Sequence, residues 1–318
     1  MIGPGMISYV LRRILATIPV MAIVAIIVFS LLYLSPGDPA VVLAGEQATV
    51  EDVERLRIVL GLDQPYHVRL GEWLWDIARG DLGISVFSGR PVLELIAQRL
   101  EPTIALTIGA LLIAIAIALP LGVVAAWKSG RIADHLAMGF AVLGFSLPVF
   151  VLSYVLILLF SVELRWLPVQ GYAPLADGIG AFLRHLALPA LALGIVYAAL
   201  IARITRAAML EVLGQDYIRT ARAKGLSTPT VLVRHALKNA AIPIMTVIGI
   251  GFALLISGVV VTETVFNLPG VGRLTVDAIL RRDYPVIQGV ILVFSAVYVL
   301  VNLLVDLSYA LFDPRIRY

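Results

Sequence analysis

Residues 103–127 read TIALTIGALLIAIAIALPLGVVAAW, twenty-five positions in a row without Asp, Glu, Lys, Arg or His. A helix rises about 1.5 Å per residue, so this run would reach about 38 Å, more than the ~30 Å hydrocarbon core of a bilayer. Five more charge-free runs follow the same rule, at 14–34, 136–162, 186–202, 240–262 and 286–305. Together they predict an all-α polytopic membrane protein with six transmembrane helices. The composition of the 318 residues agrees: 60% are hydrophobic and 14% charged, with mean hydropathy +0.99. A soluble domain is roughly 45–50% apolar and about 25% charged, and a disordered chain is more polar still. A transmembrane β-barrel would show short alternating segments instead of long apolar runs.

The chain has no cysteine, which removes disulfide scaffolds, thiolate metal sites and Cys nucleophiles together. Its four histidines, His67, His135, His185 and His235, are far apart in sequence. No paired-carboxylate, Ser/His/Asp or metal constellation stands out, so catalytic and metal residues are expected to be none. No G-x-x-x-x-G-K-[ST] phosphate loop occurs, and there is no Gly-Lys dipeptide at all. Any ATP that drives this protein must be hydrolysed elsewhere.

Charge fixes the expected orientation. Residues 1–13, 128–135, 203–239 and 306–318 carry 13 Lys/Arg in 71 positions. The short segments 163–185 and 263–285 carry five in 46. Both termini and segment 203–239 are therefore expected in the cytoplasm, with 35–102 outside. The first run, at 21 residues, exceeds the 7–15 of a signal-peptide core and reads as a retained helix. The expected organisation is 1–34 as N-terminus and first span, 35–102 as a helical extracytoplasmic insertion, and 103–318 as a five-span core.

Within 35–102, Thr49 and Asp52 form a candidate capping box, followed by Val53, Leu56 and Leu60 at helical spacing. Gly61 and Pro65 end that helix. A second amphipathic stretch with Trp73, Leu74 and Ile77 ends at Gly80, and Gly80-Asp81-Leu82-Gly83 reads as a turn.

Segment 203–239 carries the densest signal. Gly214 is expected to end the helix that continues from the fourth span. Asp216 would N-cap a short helix reaching Lys224, with Gly225 as its C′ residue. Thr228 and Pro229 then read as N-cap and first residue of the next helix. An eight-residue helix carrying Arg219, Arg222 and Lys224 is too short to stand alone in water. It is either a docking element or ordinary positive-inside charge.

No span contains an acidic, basic or histidine residue, which disfavours a proton-coupled transporter working alone. Pro19, Pro120, Pro148, Pro189 and Pro243 are candidate kinks, and Gly139, Gly144, Gly249, Gly251 and Gly258 candidate close-packing points. Ser146, Ser153, Tyr154, Tyr197, Thr246, Ser257, Ser295, Tyr298 and Asn302 are the candidate pathway residues. Helix–helix hydrogen bonding is the other role open to them.

Residues 216–243, DYIRTARAKGLSTPTVLVRHALKNAAIP, resemble the inner-loop motif of binding-protein-dependent ABC importer permeases, E-A-A-x3-G-x9-I-x-L-P. Gly225 falls on its glycine, Ala221 on its second alanine and Leu237 on its leucine. Arg219, Thr220, His235 and Lys238 depart from the motif in the manner of the dipeptide/oligopeptide/nickel branch. Ser35-Pro36-Gly37-Asp38-Pro39, Gly80-Asp81-Leu82-Gly83, Asn267-Leu268-Pro269-Gly270-Val271-Gly272, Arg282-Asp283-Tyr284-Pro285 and Asp313-Pro314-Arg315 fit the same branch, in order along nearly the whole chain.

The resemblance implies a type I ABC importer permease fold and a dipeptide-permease-B-like subunit of the bacterial inner membrane. Its implied partners are a homologous second permease, two P-loop ATPases holding ATP and Mg, an extracytoplasmic solute-binding protein and the lipid bilayer, with no nucleic acid. The short inner helix would then be the coupling helix, with Asp216, Tyr217, Arg219, Thr220, Ala221, Arg222, Ala223, Lys224, Gly225 and Leu226 meeting an ATPase. Asp81, Glu263, Leu268, Pro269, Gly270 and Gly272 would meet the binding protein. Di- or oligopeptide import leads, and nickel or glutathione import is the alternative within the family. A stand-alone secondary transporter is the alternative outside it.

Overall fold

The computed structural model describes residues 4–34, 39–45, 48–59 and 61–312. Of the expected motif at 35–39 all but Pro39 lies outside them, and so does the one at 313–315. The described residues are helical almost throughout: α1 Pro4–Leu34, α2 Pro39–Ala44, α3 Val50–Val59, α4 Tyr66–Ala78, α5 Val92–Ala97, α6 Leu100–Trp127 and α7 Ile132–Ser146. Then come α8 Val149–Leu156, α9 Ile179–Leu213, α10 Asp216–Ala223, α11 Thr228–Thr230, α12 Ala241–Val265, α13 Val271–Arg281 and α14 Tyr284–Phe312. Four helices (Ile14–Leu34, Leu100–Trp127, Ile179–Leu213 and Tyr284–Leu307) are long and apolar enough to cross a membrane. Two bent pairs bring the total to as many as six.

One expected span is broken. Residues 136–162 fall in α7 and in the helical stretch Val149–Glu163, α8 with a π-helical continuation over Ile157–Glu163, and the two axes meet at 105°. Proline lacks the N–H that would continue α7 and pushes its predecessor out of the helical region. Leu147 is accordingly extended (ψ 125°), and Pro148 stands at the N-cap of α8. The second pair, Thr228–Leu237 with Ala241–Phe252, bends by 61°. Pro19, Pro120 and Pro189 sit inside continuous helices.

The chain forms two compact units, one built on Leu100–Arg273, the other on Ser8–Arg99 and Leu274–Val299. In the first, α6 lies along α9. Leu106, Ala110, Ala114 and Ala118, four residues apart, are all fully buried. Small residues on such a stripe let backbones approach closely, which is how helices associate in lipid without a hydrophobic driving force. A Cβ on Gly194 would lie 3.0 Å from the Ala110 carbonyl oxygen. Three residues along α9 the Tyr197 hydroxyl donates to the Ile248 carbonyl at 2.7 Å. A Cβ at Gly251 would come within 2.2 Å of that hydroxyl oxygen. Gly139 has nothing within 4 Å of a Cβ position and takes no part in this packing.

In the second unit, Trp73 of α4 packs its ring 5.1 Å from Phe29 of α1, with Leu292 of α14 in the same cluster. The capping box at α3 forms: Asp52 N–H donates to Thr49 Oγ1 at 3.2 Å, and Thr49 N–H to the Asp52 carboxylate at 3.1 Å. Thr49 Oγ1 also donates to the Asp52 carboxylate at 2.6 Å, and that bond first, with the Thr49 N–H second, holds the Asp52 carboxyl below its ordinary range. Two distant stretches meet here. Asp283 is buried, accepting from Ser85 Oγ at 2.5 Å and from Val86 N–H at 3.2 Å, while Pro285 faces Gly83.

Candidate functional site

The loop from α9 to α12 is built from backbone terminations. Gly214 ends α9, as expected. Gln215, in extended conformation, occupies the N-cap position of α10, so Asp216 is the first helical residue and not the cap. Its carboxylate points outward to Arg219 at 3.4 Å, a solvent-exposed pair of small energetic weight. Lys224 is the C-cap, and Gly225 follows at φ +80°. Leu226 N–H donates to the Ala221 carbonyl at 3.3 Å and Gly225 N–H to that of Arg222 at 2.9 Å. This pair of bonds is a Schellman cap, which needs a left-handed residue at C′. The next helix is capped at Ser227, one residue earlier than expected, and its hydroxyl lies 2.8 Å from that of Thr230.

α10 is amphipathic. Ile218 and Ala221, one turn apart, are buried, with Ile218 fully so. They join Met209, Val231, Leu232 and Ala236 in the core of the first unit. Asp216, Tyr217, Arg219, Thr220, Arg222, Ala223, Lys224, Gly225 and Leu226 are all exposed. Partial burial pushes the Tyr217 phenol up. Among the described residues Arg222 and Lys224 make no ion pair. The helix is thus a short rigid body, seated by two apolar side chains and showing cations outward.

Sequence reading missed what holds the base of this loop. Arg206, on the last turns of α9, donates from Nε and Nη2 to the two oxygens of Asp134 at 2.6 and 2.7 Å. Asp134 is buried and also accepts from Gly130 N–H at 2.9 Å. A bidentate guanidinium–carboxylate pair fixes direction as well as distance. It ties the first turn of α7 to the helix that delivers α10. The partners stand 72 residues apart, so no local spacing announces them.

The α12–α13 turn is assembled differently. Asn267 is left-handed (φ 54°), and Leu268 N–H donates to the Glu263 carbonyl at 2.8 Å. The Glu263 side chain is fully buried. It accepts from Thr103 Oγ1 at 2.5 Å and from Arg273 N–H at 2.9 Å, while Val271 N–H donates to Thr103 Oγ1 at 2.8 Å. A carboxylate and a hydroxyl therefore satisfy the first N–H groups of α13, where the helix dipole favours negative charge. A Cβ on Gly270 would lie 2.1 Å from Glu263 Oε1. Leu268, Gly270 and Gly272 are buried, and Pro269 is exposed. Asp81, in the other unit, is exposed and accepts from Gly83 N–H at 2.8 Å.

The candidate pathway residues divide. Ser153 and Tyr197 are buried and bonded to backbone carbonyls, and Thr246 is half-buried and bonded to Ile242. Ser146, Tyr154 and Ser257 are exposed, and Asn302 is half-exposed.

Residues 118–318 match the family described as binding-protein-dependent transport system inner membrane component, and residues 6–107 match its N-terminal companion. The chain belongs to this family of ABC importer permeases. The permease is 54% identical to the probable peptide ABC transporter permease protein y4tP of Sinorhizobium fredii, over 98% of this chain and 99% of the relative. It is 46% identical to the glutathione transport system permease protein GsiC of Escherichia coli, over 98% and 100%. Its fold is similar to a chain of the MetNI methionine ABC transporter in an inward-facing conformation, with TM-score 0.57 and 18% identity, covering 69% of this chain and 96% of that one. The permease is thus a multi-pass inner-membrane component of a binding-protein-dependent importer, which works with ATPase and binding-protein partners.

Proposed function

We propose that this permease forms half of the pore of an ATP-driven importer of di- and oligopeptides and takes its motion from an ATPase through α10. The observation that carries this reading is the seat of α10: two buried side chains, a Schellman cap and an outward basic face. A lever needs rigidity at its ends and a free surface for the partner that pushes it.

The termini and the α9–α12 loop face the cytoplasm in this reading. ATP and Mg sit on two P-loop ATPases, and this chain has no catalytic residue. A homologous second permease completes the pore, lined from this side by Ser146, Tyr154, Ser257 and Asn302, with Ser153, Tyr197 and Thr246 bracing the wall behind. The binding protein meets Asp81 and Pro269 on the outer face, while Glu263, Leu268, Gly270 and Gly272 hold the turn in shape from within. Closure of the ATPase pair shifts α10, and the Asp134–Arg206 pair passes that shift to α7. Peptide as cargo rests on the 54% identity to a probable peptide permease. Glutathione, itself a tripeptide, is the second reading, supported by the likeness to GsiC.

The test is uptake of labelled dipeptide, oligopeptide and glutathione by proteoliposomes holding the permease with its co-purified ATPases and binding protein. ATP-dependent uptake of peptide is expected. ATP-independent uptake by the chain alone would overturn the reading.

A further inference from the structure

Asp81 apart, the stretches Gly80–Gly83 and Arg282–Pro285 have no role in the scheme above, yet with the 85–90 turn they build one object. Asp283 grips Ser85 and Val86, Ser88 N–H donates to Ser85 Oγ at 3.0 Å, and Ser85 N–H donates to the Arg90 carbonyl at 2.9 Å. The 85–90 turn is thereby fixed from below before anything meets it. On top, Phe87 is 67% exposed, and the Arg281 guanidinium lies 4.1 Å over its ring. Beside them opens a cavity of about 130 Å³ whose wall carries Arg99 together with the acids Asp277 and Asp283, so the cations open to a partner are those on its rim. Arg281 and Arg282 are exposed, and among the described residues neither makes an ion pair.

Arg282 adds a separate observation. It ends α13 at φ 56°, with the same two-bond cap that Gly80 and Gly225 provide for α4 and α10. An L side chain is disfavoured there and glycine is not. A guanidinium therefore stands where backbone geometry alone would select glycine. The cations are also local: segment 35–102 holds 11 Asp/Glu against six Lys/Arg.

We infer that this platform is a docking site for the extracytoplasmic binding protein, receiving an acidic side chain at Arg281 and Arg282 with an apolar neighbour laid over Phe87. An aromatic beside arginines on a preformed turn is the composition that concentrates binding energy, because little ordering remains to be done on contact. Charge on the rim sets the encounter rate and its salt dependence. The inference rests on the proposed importer reading and on 35–102 facing outward.

The experiment titrates purified binding protein against the complete permease–ATPase complex in nanodiscs of zwitterionic lipid. It follows stimulated ATPase activity for wild type, Arg281→Glu and Phe87→Ala. Both substitutions lie on exposed side chains, and basal ATPase activity serves as the check on folding. Arg281→Glu is expected to raise the half-saturating binding-protein concentration at least tenfold and to flatten its salt dependence, with Phe87→Ala raising it severalfold. Unchanged half-saturation in both variants would overturn the inference. So would a shift that appears only when anionic lipid is added, which would make the patch a headgroup contact. If the wild-type complex shows no stimulation at all, the importer reading fails instead.

Discussion

The loop after α10 and the turn after α12 end their helices with the same two-bond cap, around Gly225 in one and Asn267 in the other. They treat charge in opposite ways. The α10 loop leaves Arg222 and Lys224 in solvent and buries only Ile218 and Ala221. The α12 turn buries Glu263 completely and spends its carboxylate on the first N–H groups of α13 and on Thr103. An exposed charge keeps its energy for a partner, whereas a buried one has already used it inside the fold. In the proposed importer the first region is the one to be pushed, and the second keeps its shape.

The sharpest break in this comparison is Gly225→Pro. Proline cannot adopt φ +80° and removes the N–H that bonds Arg222, so α10 loses its C-terminal cap. ATP-driven uptake in proteoliposomes is expected to fall more than tenfold, while the permease still reaches the membrane. Normal coupled uptake in this variant would dissociate α10 from energy transfer.

Next comes the interior acid. Glu263→Ala leaves the Arg273 N–H and Thr103 hydroxyl without their acceptor, a cost of about 1–3 kcal/mol per buried unpaired group. A fall of several degrees in the melting temperature of the detergent-solubilised protein is expected, with Glu263→Gln losing less because one acceptor oxygen remains. Arg222→Glu should do the reverse, leaving melting unchanged and weakening co-purification of the ATPase. If Glu263→Ala melts like wild type, the contrast between the two regions collapses.

The smallest expected effect is at α3. Asp52 titrates lower in the folded chain than in the unfolded one, so the stability it lends is present above about pH 4. It is lost as pH falls through the depressed folded value. Amide exchange in residues 50–53 should therefore accelerate only below that range, and not in Asp52→Asn, whose exchange has no such acid limb.

Much of this was legible in the residues. Charge-free runs long enough for a bilayer gave the helices, because a backbone in lipid must satisfy its own hydrogen bonds. Gly214, Gly225 and the Thr49–Asp52 box marked helix ends, because capping is chemistry between near neighbours. The same local logic misplaced two caps by one residue, since Asp216 is a better capping residue than Gln215 and Thr228 about the equal of Ser227.

What the tertiary structure alone decided is where distant groups meet. Pro148 announces a break, but only the packing turns it to 105°. Asp134 and Arg206, Ser85 and Asp283, and Thr103 and Glu263 are 72, 198 and 160 residues apart. A buried charge needs a partner at bonding distance and is indifferent to its place in the sequence. The sequence by itself thus determined the class of protein, its helices and the glycine-marked ends in the α9–α12 loop. Which of its charges are spent inside and which remain for partners was settled by the folded chain, because burial is a property of contacts and not of order.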